Sequence, residues 1–395
     1  ALYRSLFPDC EDYFAADYLA VDGRVNFQAV LYLNRPGFRD DIPRQVGEGE
    51  KNFKLYVRQV LLTDTRVALC PNYLCFARGV VNCDDLPLNV SREMLQKTRF
   101  LRLIQRQLAR KVLAMVGDLH RRDPAGGRRF LDAHGKHLKL GLQEDPENQE
   151  RIVALLRYPS LHSGQEYIGF QEYLEQMPED QGHIFYLIGD SLQTLEASPL
   201  LESLRSKGYN VLFMTEPVDE YAMQHISFYK GVPVISAARE DLGTAGADEE
   251  LEGRFKHLCS AMRAALGGRV ARVQLSARLV VSPCAVVAQA RGPSANMERI
   301  LRAQTMLSDS DRQRMLHIPK VLEINPHHPV IRELRRRAQA DDGTDTKFRE
   351  AVDLLFEAAL LAGGYAPSDP ARLAAALTAR AARALRSSSS SSSSS

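Results

Sequence analysis

HIFYLIG (183–189), LQTLEASPLLESLRSKG (192–208) and YNVLFM (209–214) form the stretch on which the fold turns. The outer two segments are apolar runs of strand length, rich in Ile, Val, Phe and Tyr. The middle segment places leucines at helical spacing and ends on Gly208, a residue suited to closing a helix. Strand, helix, glycine, strand is a βαβ unit, which predicts a small parallel sheet.

Upstream of it the period is two. ADYLAVDGRVNFQAVLYLN (15–33) alternates around Asp22-Gly23 and predicts a hairpin. FKLYVRQVLL (53–62) reads as a third strand and LCFARGVV (74–81) as a fourth, so a mixed or antiparallel sheet is expected. From Ser91 the spacing becomes helical through Leu95, Leu101, Ile104, Leu108, Val112 and Met115, with Ser91 and Glu93 at cap and first-turn positions. RRDPAGGRRF (121–130) interrupts it. Shorter helices follow at 131–142 and 147–158, and PVDEYAMQHISFYKG (217–231) resumes helix after the βαβ unit.

AREDLGTAGADEELEG (238–253) is acidic, glycine-rich and without apolar period, and reads as a junction. Beyond it a helix (254–266), strands at 270–277 and 285–290, and three further helices are expected, the last two at about 347–362 and 370–386. Phe348, Val352, Leu355, Phe356 and Ala359 share one face of the first of these two, and Leu373, Leu377 and Leu385 one face of the second. The surplus apolar face points to a two-fold bundle with Val352, Leu355, Phe356, Ala359, Leu373 and Leu377 at the interface. The plainer alternative is that both helices close their own domain.

Bulk properties narrow the classes. The chain has 395 residues, 45% hydrophobic and 25% charged, so two or three globular domains are expected. A net charge of +2 is too small for a strong nucleic-acid footprint; the arginines of 332–337 and 379–386 lack interleaved aromatics and read as solvated faces. The six cysteines include no CxxC pair, and no Cys/His set has zinc spacing, so no metal site is expected and the thiols read as buried or idle in a reducing compartment. HGKH (134–137) and HH (327–328) read as surface or loop histidines. No apolar run approaches the roughly 18 residues a membrane helix needs. The opening ALYRSLFPDC is no signal peptide and reads as a chain entered in mid-domain. The final serines read as a disordered or placeholder tail. No GxGxxG, Walker loop, GxSxG or HExxH occurs.

DDLPLNVSREMLQ (84–96) poses the functional question. Arg92 stands on a short loop before a helix with no nucleophile or metal ligand beside it. It is either a solvated surface residue or it reaches for an anion that the chain does not itself hold.

The order of LYVRQVLLTD (55–64), PNYLCFARGVVNCDDLPLNVSREMLQ (71–96), LIGDSLQTLEASPLLESLRSKGYNVLFMTEPVDEYA (187–222), PSANMERILRAQTM (293–306) and LEINPHHPVI (322–331) resembles the heat-shock protein 90 chaperone family, which includes the bacterial HtpG form and the mitochondrial TNF-receptor-associated form. The resemblance reaches to about residue 380 and implies only the family's middle and C-terminal domains, with nothing like its ATP pocket. The implied fold is mixed α/β. A large α/β lobe (1–120), a helical connector (121–182) and a small βαβ lobe (183–237) make the middle domain. An acidic linker (238–253), a C-terminal dimerisation domain ending in a helical bundle (254–386) and the poly-Ser tail (387–395) follow.

The resemblance also implies an ATP-dependent chaperone acting on unfolded or partly folded client proteins as a homodimer. ATP and Mg would be bound mainly by a domain this chain lacks, so no cofactor and no ATP hydrolysis are expected of the chain alone. Arg92 would reach the γ-phosphate, where a guanidinium fits a phosphoryl oxygen, with Asn89 and Gln96 as supporting loop residues. Met297, Ile300, Leu301 and Met306 would contribute to client binding through an amphipathic helix, a Met-rich surface being adaptable. The family's tryptophan-bearing client region has no counterpart, since the chain has no Trp. No MEEVD-type tail is present, so no TPR docking is implied, nor any membrane or nucleic-acid partner. LLRYPSLHSGQEYIGFQEYLEQM (155–177) is similar to the organellar and bacterial branches and PSANMERI (293–300) to the cytosolic branch; the lean is to the mitochondrion, with cytoplasm as the alternative. The competing function is an ATP-independent dimeric scaffold that holds clients.

Overall fold

The computed structural model describes residues 2–8, 12–35, 52–63, 69–85, 99–239, 242, 249–289, 292–304, 308–316, 318–341 and 345–390. These form a mixed α/β chain, as the sequence predicts, grouped into two compact units. The first comprises 1–157, 169–171 and 221–229; the second comprises 158–168, 172–220 and 230–395.

In chain order the described helices are α1 (Leu2–Leu6), α2 (Arg99–Arg122), α3 (Pro124–Glu144), α4 (Gln149–Leu155), α5 (Phe170–Gln176), α6 (Leu192–Glu196), α7 (Glu202–Ser206), α8 (Val218–Ala222), α9 (Glu249–Leu266), α10 (Ala295–Ala303), α11 (Asp309–Leu316), α12 (Pro329–Asp341), α13 (Thr346–Ala362) and α14 (Pro370–Ser390). The strands are β1 (Tyr13–Val21), β2 (Phe27–Asn34), β3 (Phe53–Val57), β4 (Val60–Thr63), β5 (Ala77–Cys83), β6 (Arg157–Ser160), β7 (Gly164–Gly169), β8 (Ile184–Ile188), β9 (Val211–Met214), β10 (Phe228–Tyr229), β11 (Val232–Ser236), β12 (Val270–Leu275), β13 (Cys284–Val287) and β14 (Lys320–Ile324).

The first unit is built on a sheet of order β1-β2-β5-β3-β4. β1 and β2 form the expected hairpin, pairing antiparallel from Val21–Phe27 outward. Residues 53–62, read as one strand, are two: β3 and β4 pair antiparallel around Arg58 and Gln59, both at positive φ (47° and 66°). Such a turn normally advertises itself with Asn-Gly, and Arg-Gln carries no such signal. Here the tertiary frame stabilises it, with Gln59 N–H donating to Asn82 Oδ1 (3.1 Å) and Arg58 Nε to the Asp84 carbonyl (3.3 Å).

α2 lays the buried Leu101, Ile104, Leu108 and Val112 toward the unit's interior. The break expected over 121–130 is one residue wide. Asp123 caps α3 by accepting from Gly126 N–H (2.8 Å), and Pro124 takes the first helical position, where its missing N–H costs nothing. His134, expected on the surface, is buried. Its ring packs among Phe76 and Phe130, and Nε2 lies 3.0 Å from the Asn34 carbonyl, which makes that nitrogen the donor.

The second unit contains the βαβ motif. β8, β9 and β11 run parallel and adjacent in the order β11-β8-β9-β6-β7. The helix expected over 192–208 is α6, a 3₁₀ turn at Pro199–Leu201 and α7, because Pro199 cannot donate to a continuous helix. Further on, among the described residues, five helices follow β13 where three were expected, and a strand that was missed lies between the second and third of them. β14 is central in the sheet β12-β14-β13, parallel to β12 and antiparallel to β13. Its sequence, KVLEI, hides the pattern of a buried strand because Glu323 interrupts it, fully buried.

Of the small lobe read at 183–237, residues 183–220 and 230–237 fall in this unit together with the domain read at 254–386, while 221–229 belong to the first. Phe185, Leu187, Leu204 and Phe213 share a core with Leu279, Ala285, Val287 and Val321. α14 continues into the serine run, read as a disordered or placeholder tail, as far as Ser390; extending an existing helix costs far less than nucleating one.

Gly141 on α3 faces the fully buried Tyr73, whose ring a Cβ would approach to 2.5 Å. Alanine gains up to about 1 kcal/mol of helix propensity there and loses about 1–3 kcal/mol to overpacking. Gly141→Ala is therefore expected to lower the thermal unfolding midpoint, and a raised midpoint would show that the Tyr73 contact yields.

Candidate functional site

Arg92, Asn89 and Gln96 lie outside the described residues; the ends of their loop do not. β5 delivers the chain to Asp84 and Asp85, and α2 takes it up at Arg99. Asp85 accepts from Asn26 N–H at the β1–β2 turn (2.7 Å), and Asp84 receives Arg58 from the β3–β4 turn. Two hairpin tips thus hold the loop's origin.

α10 carries three of the four residues singled out for client binding; Met306 lies outside the described residues. Ser294 caps the helix, its Oγ accepting from Met297 N–H (3.0 Å) and donating to Glu220 Oε1 (2.5 Å). Leu301 is buried, while Met297 and Ile300 are only partly covered. The polar neighbours Asn296 and Glu298 are buried more deeply than those two. Glu298 pairs with Lys320 at 2.6 Å and Arg302 at 3.6 Å, and Lys320 lies over the Tyr365 ring. α10 is therefore anchored through a buried polar cluster as well as through Leu301. Burial, with Asp219 adjacent, pushes the Glu220 carboxyl above its usual range against the hydrogen bonds from Ser294 and Asn296.

The residues read as a dimer interface separate. Val352, Phe356 and Ala359 belong to the unit's own core with Phe255, Leu258, Leu322 and Phe348, and Leu355 packs against it. Their apolar stripe packs within its own unit. On α14, Leu373 is half-buried and Leu377 is 52% exposed; Leu361, at the end of α13, is 48% exposed.

Sequence reading missed the buried charges. Arg278 and Glu323 pair at 3.0 Å, and Ser276 Oγ donates to Glu323 (2.9 Å). Arg278 also donates to the carbonyls of Ala237 (2.7 Å) and Arg239. Glu202, only partly buried, accepts from the backbone N–H groups of Val280, Val281 and Ser282. Only the strand break at Glu323 could have signalled any of this. Among the described residues no cluster of three or more His, Cys, Asp or Glu is arranged to hold a metal, and no helix is long and apolar enough to cross a membrane.

The model of the Hsp90 protein family matches residues 1–395. Heat shock protein 90-6, mitochondrial, of Arabidopsis thaliana is 38% identical over 379 residues, which are 94% of this chain and 47% of that protein. Heat shock protein 83 of Leishmania donovani is 36% identical over 376 residues, 94% of this chain and 82% of that protein. An endoplasmin homolog of Caenorhabditis elegans is 38% identical over 376 residues, 93% and 49% of the two chains. The chain thus spans about half the length of the Arabidopsis and Caenorhabditis relatives. Names among the relatives include mitochondrial and chloroplastic forms, so similarity selects no compartment.

The Glu220 anchor has a pH signature. A carboxyl whose folded-state pKa is raised contributes fully below its unfolded pKa and loses that contribution as pH rises through the raised value. Glu220→Gln keeps a hydrogen-bonding partner for Ser294 without the charge. Its thermal midpoint is expected to gain on the unsubstituted chain as pH rises from 4 to 7; a constant difference would show that Glu220 does not titrate in this range.

Proposed function

Because this chain belongs to the Hsp90 family, we propose that it is the client-binding and dimerising part of an ATP-dependent molecular chaperone. The observation that carries this reading is the family match along the whole chain. The chain has no glycine-rich phosphate loop, and it covers 47% of its Arabidopsis relative. Its share of the ATPase chemistry would accordingly be a side chain offered to a nucleotide held by another domain. Bound there with Mg, ATP would supply the γ-phosphoryl group. Arg92 would place a permanently charged, forked donor against that group's oxygens and stabilise the charge that develops in transfer, while Asn89 and Gln96 support the loop. The clients are unfolded or partly folded proteins, held in part by Met297, Ile300, Leu301 and Met306. The organellar likeness of 155–177 favours the mitochondrion, with cytoplasm as the alternative.

Arginine contacts of this kind are worth about 10³–10⁵ in turnover in other phosphoryl-transfer enzymes. In a protein that includes the nucleotide-binding domain, Arg92→Ala is expected to reduce ATP turnover at least tenfold while nucleotide affinity changes little. Unchanged turnover would remove Arg92 from the mechanism and favour the ATP-independent scaffold.

Self-association is proposed through what α13 and α14 leave exposed, chiefly Leu361 and Leu377 with Leu373 at their margin. Leu361→Glu with Leu377→Glu is expected to convert a dimer into a folded monomer in light scattering, because both side chains lie outside the core. A dimer that survives both substitutions would place the interface elsewhere.

A further inference from the structure

Little apolar packing fixes the direction in which α14 leaves the domain. From Pro370 to Arg380 every residue except Leu373 is exposed. The start of the helix is instead gripped by charge. Asp353 and Glu357, one turn apart on α13, form one side of a four-membered network. Asp353 Oδ1 pairs with Arg269 Nη2, and its Oδ2 pairs with Arg372 Nη2 in the first turn of α14. Glu357 Oε1 lies 3.4 Å from Arg269 Nη1, and its Oε2 accepts from Ser368 N–H (3.0 Å) in the turn that leads into α14. Arg269 comes from the turn that follows α9 and lies over the Phe356 ring at 5.2 Å. Asp369 completes the junction by capping α14, accepting from Arg372 N–H (3.0 Å).

Each part has a distinct physical role. Asp353 and Glu357 are four-fifths or more buried, and Arg269 is about 70% buried, so their interaction is screened less than that of a surface pair. Arg372 is 70% exposed and is the one member that belongs to α14. The two arginines share Asp353, so losing Arg372 leaves Asp353 still paired and the domain core intact. What it releases is the helix.

We infer that Asp353 is a positioning residue for self-association: it bridges Arg269 to Arg372 and so sets the exit direction of α14, along which Leu377 is presented to a second copy of this chain. This rests on the dimer reading above and adds its regulation. An interface of leucines alone holds or strengthens as salt rises, whereas one that depends on a partly exposed ion pair weakens.

The test uses the whole chain and sedimentation equilibrium across sodium chloride concentrations, with hydrogen exchange of residues 370–374 in parallel. Arg372→Gln is expected to weaken the dimer about three- to tenfold at low salt and to flatten its salt dependence, with an unchanged thermal midpoint, as loss of one partly exposed charge pair would. Asp353→Asn should weaken the dimer and flatten its salt dependence in the same way, with a lowered thermal midpoint because it also unpairs the largely buried Arg269, and the double variant should add little to the effect of Asp353→Asn on the dimer. Faster exchange at 370–374 in Arg372→Gln supports the latch even if the unsubstituted chain proves monomeric, an outcome that would sink the dimer reading instead. Unchanged exchange, or a dimer of Arg372→Gln with the affinity and salt dependence of the unsubstituted chain, overturns the inference.

Discussion

The second unit depends on a salt bridge with almost no water around it. Arg278 and Glu323 are both nearly fully buried, and each would be costly alone. Glu323 sits on the central strand β14, and Arg278 carries its charge to the carbonyls of Ala237 and Arg239 just beyond β11. One ion pair therefore ties the end of the βαβ sheet to the middle of the three-stranded sheet. Burial raises the Glu323 carboxyl and Arg278 opposes that rise, so the pair is stable only as a pair. A buried pair of this kind adds little net stability compared with apolar residues, but its geometry admits few alternatives. Around it Ser203 N–H donates to the Arg278 carbonyl, Glu202 gathers three amides of the 280–282 turn, and one apolar core runs across both sheets.

The same device recurs at the two places where function is proposed. α10 is held by Glu298–Lys320 and by Ser294–Glu220. α14 is held at its start by Asp353 and Glu357. In both, polar contacts set position while apolar side chains remain partly uncovered, Met297 and Ile300 on one helix and Leu377 on the other. Such contacts are directional and sensitive to charge, so an element can be held in place without being packed permanently into a core.

How much was legible follows from where each signal lies. The β1–β2 hairpin, the βαβ unit and the helices α2, α9, α13 and α14 were readable because each has a local period and local punctuation, such as Asp22-Gly23 or Gly208. The β3–β4 hairpin was not, because Arg58 and Gln59 reach positive φ through hydrogen bonds to Asn82 and Asp84, more than twenty residues away in sequence. β14 was not, because a carboxylate in an apolar run reads as exposure unless its arginine is known. His134 looked like a surface residue because Phe76 and the Asn34 carbonyl approach it only in the folded chain. At the candidate site, the family motifs pointed to Arg92 and to α10, and the spacing of apolar residues pointed to α13.

Local periodicity and motif order, then, were enough for mixed α/β class and for the family, because these properties are written in neighbouring positions. Tertiary contacts alone assigned the faces. Val352, Phe356 and Ala359 look equivalent to Leu377 in an apolar pattern, yet the first three close the domain and the last stands in solvent. The reason is that a period says which side chains share a face of a helix, whereas burial depends on what other segments bring to that face, and those segments lie far away along the chain.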